Sequence, residues 1–141
     1  MYYEMLAGEL LNIKSKLLQV PADQKLSKMM RGELFALNYL NSKGTAVHPK
    51  ELSEQLSVST ARIARLLNHM EEKKLIFRQP DPEDSRQILI HLTDEGRKKI
   101  ELHRREVILQ LAGMLEELGP DDAKDYIRIL ERIYHNSKER K

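Results

Sequence analysis

The sequence predicts a mainly α-helical fold with one small β-hairpin, and three observations support this fold class. Leu, Ile, Met, Glu, Lys and Arg dominate the composition, as is typical of helical proteins, whereas aromatic residues make up only 5% of the chain. Apolar residues recur at spacings of three and four along most of the sequence. Two short apolar runs flank a turn-rich segment, PDPEDS, and this pattern indicates a two-stranded hairpin.

The length and the composition restrict the class of protein. With 141 residues, the chain suits one compact domain. It contains no cysteine, so disulfides, thiolate metal ligands and a cysteine nucleophile are excluded. No apolar run approaches the ~18 residues of a membrane-spanning helix, and the first residues lack the pattern of a signal peptide. We therefore expect a cytoplasmic protein with no membrane partner.

The N-terminal part of the chain predicts two helices. Five apolar residues spaced four, three, four and three apart predict a helix over residues 3–20, which Pro21 ends. Ser27 is a candidate cap for a second helix, which runs through Leu40 to a terminating NSKG segment. Since few large side chains are available for a core, we expect part of the apolar surface to be buried between subunits.

Two further helices, joined by a tight turn, follow in the predicted order. His48 occupies the cap position before Pro49, and Glu51 is placed to accept a hydrogen bond from the amide of the cap residue. Ser59 caps the next helix, over residues 60–73, which is apolar on one face and basic on the other.

The remaining segments predict the hairpin and two long helices. Residues 75–79 and 87–92 have the composition of short strands. Thr93 caps a helix that runs to about Leu118, and a Gly-Pro break precedes the last helix. Two short helices followed by a hairpin form a winged helix-turn-helix, in which the hairpin is the wing.

The residue types of the fourth predicted helix suit contact with DNA. The second helix of such a pair enters the major groove by its N-terminal end, where small and basic residues are needed. Free amides of the first turn can hold a phosphate, and an arginine can pair bidentately with guanine. For His69, a phosphate contact and plain solvation stay open as alternatives to base reading. The candidate DNA contacts on this helix are Ser59, Thr60, Ala61, Arg62, Arg65 and His69.

The tip of the wing supplies a second group of candidate DNA contacts. Arg86 stands on a projecting loop, where a guanidinium can enter the minor groove. Asp84 is placed to hold that guanidinium in position, and Ser85 lies between the two. The formal net charge is only +2, so the position of individual arginines matters more than the total.

Residues 48–100 resemble the core of the MarR family of bacterial and archaeal transcription regulators. The most specific part is LIFRQPDPEDSRQILIHLTDEG, with the Asp84-x-Arg86 wing and the Leu-Thr-x-x-Gly helix start. With the flanking helices, the resemblance covers nearly the whole chain. The helix-turn-helix pattern of the family is matched by Leu52, Leu56, Val58, Ser59, Ile63 and Arg65.

The resemblance implies a single MarR-type domain that acts as a homodimer. Residues 1–26 and 97–141 would form the dimerisation helices, and residues 27–96 would form the winged helix-turn-helix that binds DNA. The dimer would bind a palindromic site in the double-stranded DNA of a promoter, usually as a repressor. A small anionic or phenolic effector, bound between the two parts, would release it. No cofactor, metal or catalytic residue is implied.

The chain departs from the family pattern at three positions. Lys74 stands where a glycine usually ends the recognition helix, so a non-glycine residue would adopt the left-handed conformation there. Ser85 stands where many members have a first wing arginine. His48 replaces the usual Thr or Ser cap.

Other readings of the same residues lead to different functions. A winged-helix module that binds a protein would need an apolar or acidic patch in place of the arginines at positions 62, 65 and 86. An enzyme is not supported, because no nucleophile-and-base pair, phosphate loop or metal-ligand spacing is present. His103 and His135 could approach each other, although a surface role is favoured over zinc binding. Met29, Met30 and Tyr39 are more consistent with packing than with a ligand pocket.

Overall fold

The computed structural model describes residues 1–140 of the chain as a series of helices interrupted by one hairpin. This order confirms the predicted mainly α-helical fold with a β-hairpin wing. The elements in chain order are α1 (Tyr2–Leu17), α2 (Pro21–Met29), α3 (Gly32–Lys43), α4 (Pro49–Leu56), α5 (Thr60–Glu72), β1 (Ile76–Pro80), β2 (Ile88–Leu92), α6 (Asp94–Leu118) and α7 (Pro120–Glu139).

A single apolar core holds α3, α4, α5 and the hairpin against the first turns of α6. Each of these elements contributes at least one side chain that is almost inaccessible to solvent. Burying a side chain of this size stabilises the fold by roughly 1.5 to 3 kcal/mol, so the core fixes the two short helices relative to the wing. The most deeply buried large side chains are Leu37, Leu52, Leu67, Met70, Ile76, Ile90 and Ile100.

The wing is an antiparallel pair of strands with a short third partner. The register pairs Ile76 with Leu92 at one end and Pro80 with Ile88 at the other. Val47, just before α4, exchanges both backbone hydrogen bonds with Ile90, at 3.2 and 2.8 Å. The base of the wing is therefore joined directly to the start of the helix-turn-helix.

The N-terminal helices differ from the prediction. Pro21 does not end a helix but begins α2, because proline at the first helical position loses no intrahelical hydrogen bond. Ser27 lies inside α2 and caps nothing, so the prediction of one helix from Ser27 through Leu40 was wrong. The chain breaks instead at Gly32, whose φ of +58° favours glycine, and α3 starts there.

Three further cap predictions have mixed outcomes. Thr93 caps α6 as predicted, and its hydroxyl oxygen accepts a hydrogen bond from the amide of Gly96 at 3.0 Å. Lys74 adopts the left-handed conformation, with a φ of 63°, as its place in the pattern predicted. His48 stands at the cap of α4, but Glu51 does not reach back to its amide. The Glu51 carboxylate is taken instead by the Tyr39 hydroxyl on α3.

The outer helices expose much of their apolar surface. None of the residues of α1 or α7 is buried, and α6 buries only three. Apolar surface of this extent on long helices is usually covered by another subunit. Among the helices of residues 1–140, none combines the length and the apolar character needed to cross a bilayer. The exposed apolar side chains of α1 and α7 include Leu10, Leu11, Ile13, Tyr126, Ile129, Leu130, Ile133 and Tyr134.

The contact between α6 and the wing depends on a glycine, which gives a first prediction. A Cβ atom at Gly96 would clash with the backbone carbonyl of Leu75 and would lie 2.8 Å from the side chain of Leu92. Gly96→Ala should therefore destabilise the chain by about 2 kcal/mol or more. Chemical unfolding measures this loss.

Gly113→Ala is the matched control for that substitution. Gly113 also lies in α6, but a Cβ atom there meets nothing within 4 Å. Alanine should stabilise the helix at this position by roughly 0.5 to 1 kcal/mol. Equal effects of the two substitutions would show that the packing of Gly96 is not restrictive.

Candidate nucleic-acid interface

The start of α5 is fixed by a side-chain cap and by the turn before it. The Ser59 hydroxyl accepts a hydrogen bond from the amide of Arg62 at 3.1 Å, which confirms the predicted cap. In the preceding turn, the buried Ser53 hydroxyl donates to the carbonyl of Val58 at 2.6 Å. Ser57 supplies the left-handed residue that ends α4, with a φ of 55°. These contacts set the angle between α4 and α5.

The rotation of α5 is set by its apolar face. Ile63, Leu67 and Met70 are buried in the core, and the opposite face of the helix is exposed. Neither Arg62 nor Arg65 forms an ion pair within residues 1–140, whereas His69 lies 3.9 Å from Glu72. The six candidate contacts all lie on the exposed part of the helix and its cap: Ser59, Thr60, Ala61, Arg62, Arg65 and His69.

An ion pair that the sequence did not reveal joins α5 to the wing. The Arg78 guanidinium on β1 donates to the Glu71 carboxylate from Nε at 3.0 Å and from Nη2 at 2.6 Å. Its Nη2 also donates to the carbonyl oxygen of the Asn68 side chain at 2.8 Å. The hydrogen bonds from Arg78 lower the pKa of Glu71. This ion pair therefore ties the last turn of α5 to the first strand of the wing.

The wing loop presents Arg86 to solvent in a constrained position. One oxygen of Asp84 accepts hydrogen bonds from the backbone amide of Arg86 at 3.1 Å and from its Nε at 3.2 Å. The Arg86 side chain is 90% exposed, and its terminal nitrogens make no hydrogen bond within residues 1–140. Ser85, between the two, is exposed. The structure thus brings Asp84 and Arg86 together as the sequence predicted.

A cationic cleft lies between the helix-turn-helix and α6. Glu33 at the start of α3 accepts hydrogen bonds from Lys73 at 2.9 Å and from Lys99 at 2.6 Å. Burial by itself would raise the pKa of Glu33, but the bonds from Lys99 and Lys73 outweigh burial, and the pKa is lowered. An open cavity of about 460 Å³ surrounds this carboxylate, and Lys28, Arg31 and the His103 imidazole also line it.

The methionines considered for a ligand pocket and the histidines considered for a zinc site do not come together in the structure. Met29 is buried in the core, as expected for packing, whereas Met30 is half exposed beside a separate cleft. His103 lies 3.9 Å from Glu106 and His135 lies 3.1 Å from Glu139, each on its own helix. Within residues 1–140, no group of three or more His, Cys, Asp or Glu side chains has an arrangement suited to a metal ion.

Comparison with known proteins finds similar sequences among transcriptional regulators. The sequence profile of the MarR family matches residues 29–87. The HTH-type transcriptional regulator YdgJ of Bacillus subtilis is 29% identical over 106 residues, which are 75% of this chain and 63% of YdgJ. MgrA, an HTH-type transcriptional regulator of Staphylococcus aureus, is 31% identical over 97 residues, which are 67% of this chain and 63% of MgrA. The chain thus matches somewhat less than two thirds of the length of either regulator.

Solved structures share the fold over almost the entire chain. A MarR family protein from Bacillus stearothermophilus has a TM-score of 0.78 at 21% identity, and the match covers 98% of this chain and 99% of that one. MepR, a transcription regulator of the Staphylococcus aureus multidrug efflux pump MepA, has a TM-score of 0.70 at 22% identity, with 92% and 96% covered. A mutant of MepR has been solved bound to an oligodeoxyribonucleotide.

The fold and the site define the chain as a winged helix-turn-helix protein in which α5 is capped and exposed on one face and the wing bears an arginine. More specifically, the chain belongs to the MarR family.

The Glu33 ion pairs predict a pH-dependent contribution to stability. Because the pKa of Glu33 in the folded chain lies below the ordinary value of 4.5, its ion pairs stabilise the fold above that pH. The stabilisation is lost as the pH falls through the lowered pKa. Since both lysines are partly exposed, Glu33→Gln should cost on the order of 1 kcal/mol at neutral pH, and this cost should shrink as the pH falls through the lowered pKa. Urea unfolding across this pH range measures the difference.

Glu101→Gln, at an exposed position of α6, serves as the control for Glu33→Gln. It removes one carboxylate without touching either lysine. A Glu33→Gln cost that is the same at acid and neutral pH would show that the ion pairs do not stabilise the fold.

Proposed function

We propose that this chain is a sequence-specific DNA-binding transcription regulator that acts as a homodimer, most simply as a repressor at an inverted repeat. The observation that carries the proposal is the combination of two exposed, unpaired arginines on a capped helix with a third arginine held out on a wing. The relatives named as transcriptional regulators support it.

We assign major-groove recognition to α5. Its N-terminal residues are small or basic and are exposed, so the helix can approach base edges closely. The Ser59 hydroxyl oxygen accepts the capping hydrogen bond, and its proton remains free to be donated to a phosphate. Arg65 lies about one turn beyond Arg62 on the same face and is the best-placed guanine reader.

We assign minor-groove contact to Arg86. The bonds to Asp84 occupy only Nε and the backbone amide, so the outer end of the guanidinium is free for an acceptor. Because the loop fixes the side chain before DNA arrives, less rotamer entropy is lost on binding. Arginine inserted into a narrow, A·T-rich minor groove gains from its enhanced negative potential.

We propose that α1, α6 and α7 form the dimer, with residues 1–26 and 97–141 as the dimerisation part and residues 27–96 as the DNA-binding lobe. The apolar faces of α1 and α7 find no cover within the described residues. A twofold dimer places two copies of α5 in successive major grooves, about 34 Å apart, and this spacing suits an inverted repeat.

We propose the cationic cleft around Glu33 as the place where a small anionic or phenolic effector acts. An anion there would compete with Glu33 for Lys73, which follows α5, and for Lys99 on α6. Such competition would loosen the recognition helix from the dimerisation helix, and the DNA-competent geometry would lose population. Titration of a panel of aromatic carboxylates against the protein-DNA complex tests this step, since an effector must release the DNA.

The proposed dimer face predicts the effect of a charge in its centre. Ile133 lies on the apolar stripe of α7 and is 60% exposed in the single chain. Ile133→Glu should convert the dimer into a monomer at micromolar concentration, because a desolvated carboxylate without a partner is strongly unfavourable. Arg128→Glu, on the polar side of the same helix, should leave the mass unchanged. Sedimentation reports the two masses, and an unaltered mass for Ile133→Glu would place the interface elsewhere.

Arg65 should carry base recognition. Arg65→Ala is expected to cost on the order of 1 to 3 kcal/mol on the cognate site and to reduce discrimination at one base position. Arg128→Ala is the control, since it removes a guanidinium far from the interface. Titration of duplexes that differ at single positions gives both quantities. Unchanged affinity and discrimination would remove Arg65 as a base reader.

Arg86 should act at the flanks of the site. Arg86→Ala is expected to weaken binding mainly on duplexes whose flanks are A·T-rich, where the minor groove is narrow. Competition between A·T-rich and G·C-rich flanks measures the preference. An equal loss on both flanks would indicate a phosphate contact only, and no loss on either would favour a protein partner for this face.

A further inference from the structure

A histidine at the start of α4 reaches across to both sides of the wing. The Nε2 atom of His48 lies 3.4 Å from a carboxylate oxygen of Asp81, in the wing loop. Its Nδ1 atom lies 3.2 Å from the backbone carbonyl of Ile88, the first residue of β2. The imidazole therefore bridges the helix-turn-helix to the two ends of the loop that carries Arg86.

Both atoms that face the imidazole are hydrogen-bond acceptors. A carbonyl oxygen and a carboxylate oxygen can only accept, so each ring nitrogen must carry a proton to bond to its partner. Neutral imidazole has a single N–H and can satisfy only one of the two oxygens. The doubly protonated imidazolium satisfies both and also pairs its charge with the carboxylate.

On the side that faces α4, His48 is the hydrogen-bond partner of the Ile88 carbonyl and of one Asp81 carboxylate oxygen. Val47 pairs with Ile90 through the backbone, and the carbonyl of Ile88 lies two residues further toward the tip on the same strand edge. At Ile88, the His48 ring takes the place that a backbone amide would have as the partner of the carbonyl. The Asp81 side chain is only 12% exposed, and its other oxygen accepts the amide of Glu83 at 2.9 Å, which shapes the loop.

Several other ionisable side chains surround His48. Lys50, Glu51 and Glu54 line the same open cavity from α4, and Asp81 faces the ring from the wing loop. Hydrogen bonds from Tyr39 and Lys43 lower the pKa of Glu51, so its charge stays constant at neutral and mildly acid pH. Between about pH 5 and pH 8, imidazole is the side chain that ordinarily changes charge.

We propose that His48 is a positioning residue for the wing, and that its protonated form anchors the Arg86 loop for DNA binding. With the imidazolium, both ends of the loop are tied to α4, and Arg86 is held where the minor groove can receive it. With neutral imidazole, one tie is lost, and the binding-competent wing is less populated. This inference rests on the proposed DNA-binding function.

The test compares DNA affinity from about pH 5.5 to about pH 8 at constant ionic strength. The wild-type chain should bind about threefold to tenfold more tightly at the acid end, which corresponds to one hydrogen bond of ordinary strength. His48→Gln should lose this dependence, because the amide does not titrate. His135→Gln is the control, because it removes an exposed imidazole on α7, and it should keep the wild-type pH dependence.

Asp81→Asn gives the sharpest outcome, because it exchanges an acceptor for a donor. The new amide would donate to Nε2 of a neutral ring while Nδ1–H still bonds to the carbonyl of Ile88. The pH dependence of binding should therefore reverse, with tighter binding at the alkaline end. A wild-type slope in either His48→Gln or Asp81→Asn would overturn the proposal.

Two further readouts separate this proposal from its alternatives. If His48 contacted a phosphate instead, His48→Gln would reduce the slope of log affinity against log salt by about 1, whereas a lost anchor leaves that slope unchanged. In the DNA-free protein, nitrogen NMR of the ring should show both His48 nitrogens protonated at the acid end. A chain with this signature that binds no DNA would refute the proposed function and leave the anchor intact. A ring that stays neutral there would refute the anchor.

Discussion

Burial of Ile63, Leu67 and Met70 sets the rotation of α5, and every contact with DNA proposed for that helix depends on the rotation. In a helix, residues three and four apart share a face, so fixing one face in the core directs Arg62, Arg65 and His69 outward together. Each buried side chain contributes a few kcal/mol at most, but together they exclude any rotation that would bring an arginine into the core. The proposed affinity for DNA would thus be a consequence of apolar packing on the side of α5 that faces away from the DNA.

The wing is positioned relative to this helix by polar contacts around its base. Arg78 ties β1 to the last turn of α5 through Glu71, and the Thr93 hydroxyl donates to the carbonyl of Lys74 at 2.7 Å. Val47 adds a backbone pairing at the opposite edge of the hairpin. Because these contacts surround the base and leave the tip free, Arg86 can project far from the core while its direction stays defined. Helix and wing therefore present their exposed arginines as one unit.

The parts that the sequence predicted well are those governed by local rules. The caps at Ser59 and Thr93 and the contact between Asp84 and Arg86 all join residues at most three positions apart. Their geometry follows from backbone sterics and side-chain length, which do not depend on the rest of the fold. The exposed face of α5 was likewise readable from its spacing.

The features that the sequence did not reveal depend on the tertiary arrangement. Glu33 meets Lys99 from 66 positions away, and His48 meets Ile88 from 40. Glu51 was expected to bond to the amide of His48, but its carboxylate accepts a hydrogen bond from Tyr39 instead, because α3 lies alongside α4. The break at Gly32 was missed because the apolar spacing runs through it, and only the need for a positive φ marks the residue. The spacing of residues along the sequence does not predict such long-range pairs, although each pair joins a hydrogen-bond donor to an acceptor.

Selection from a pool of random-sequence DNA duplexes, carried out with the full chain, tests the central claim most directly. The expected result is enrichment of an inverted repeat whose half-sites are centred about 10 base pairs apart, one turn of DNA, with A·T-rich flanks. Affinity for the enriched site should exceed that for a shuffled duplex by a factor of about 10³ or more. Enrichment of no common sequence, or equal affinity for the enriched and shuffled duplexes, would contradict sequence-specific recognition by this winged helix.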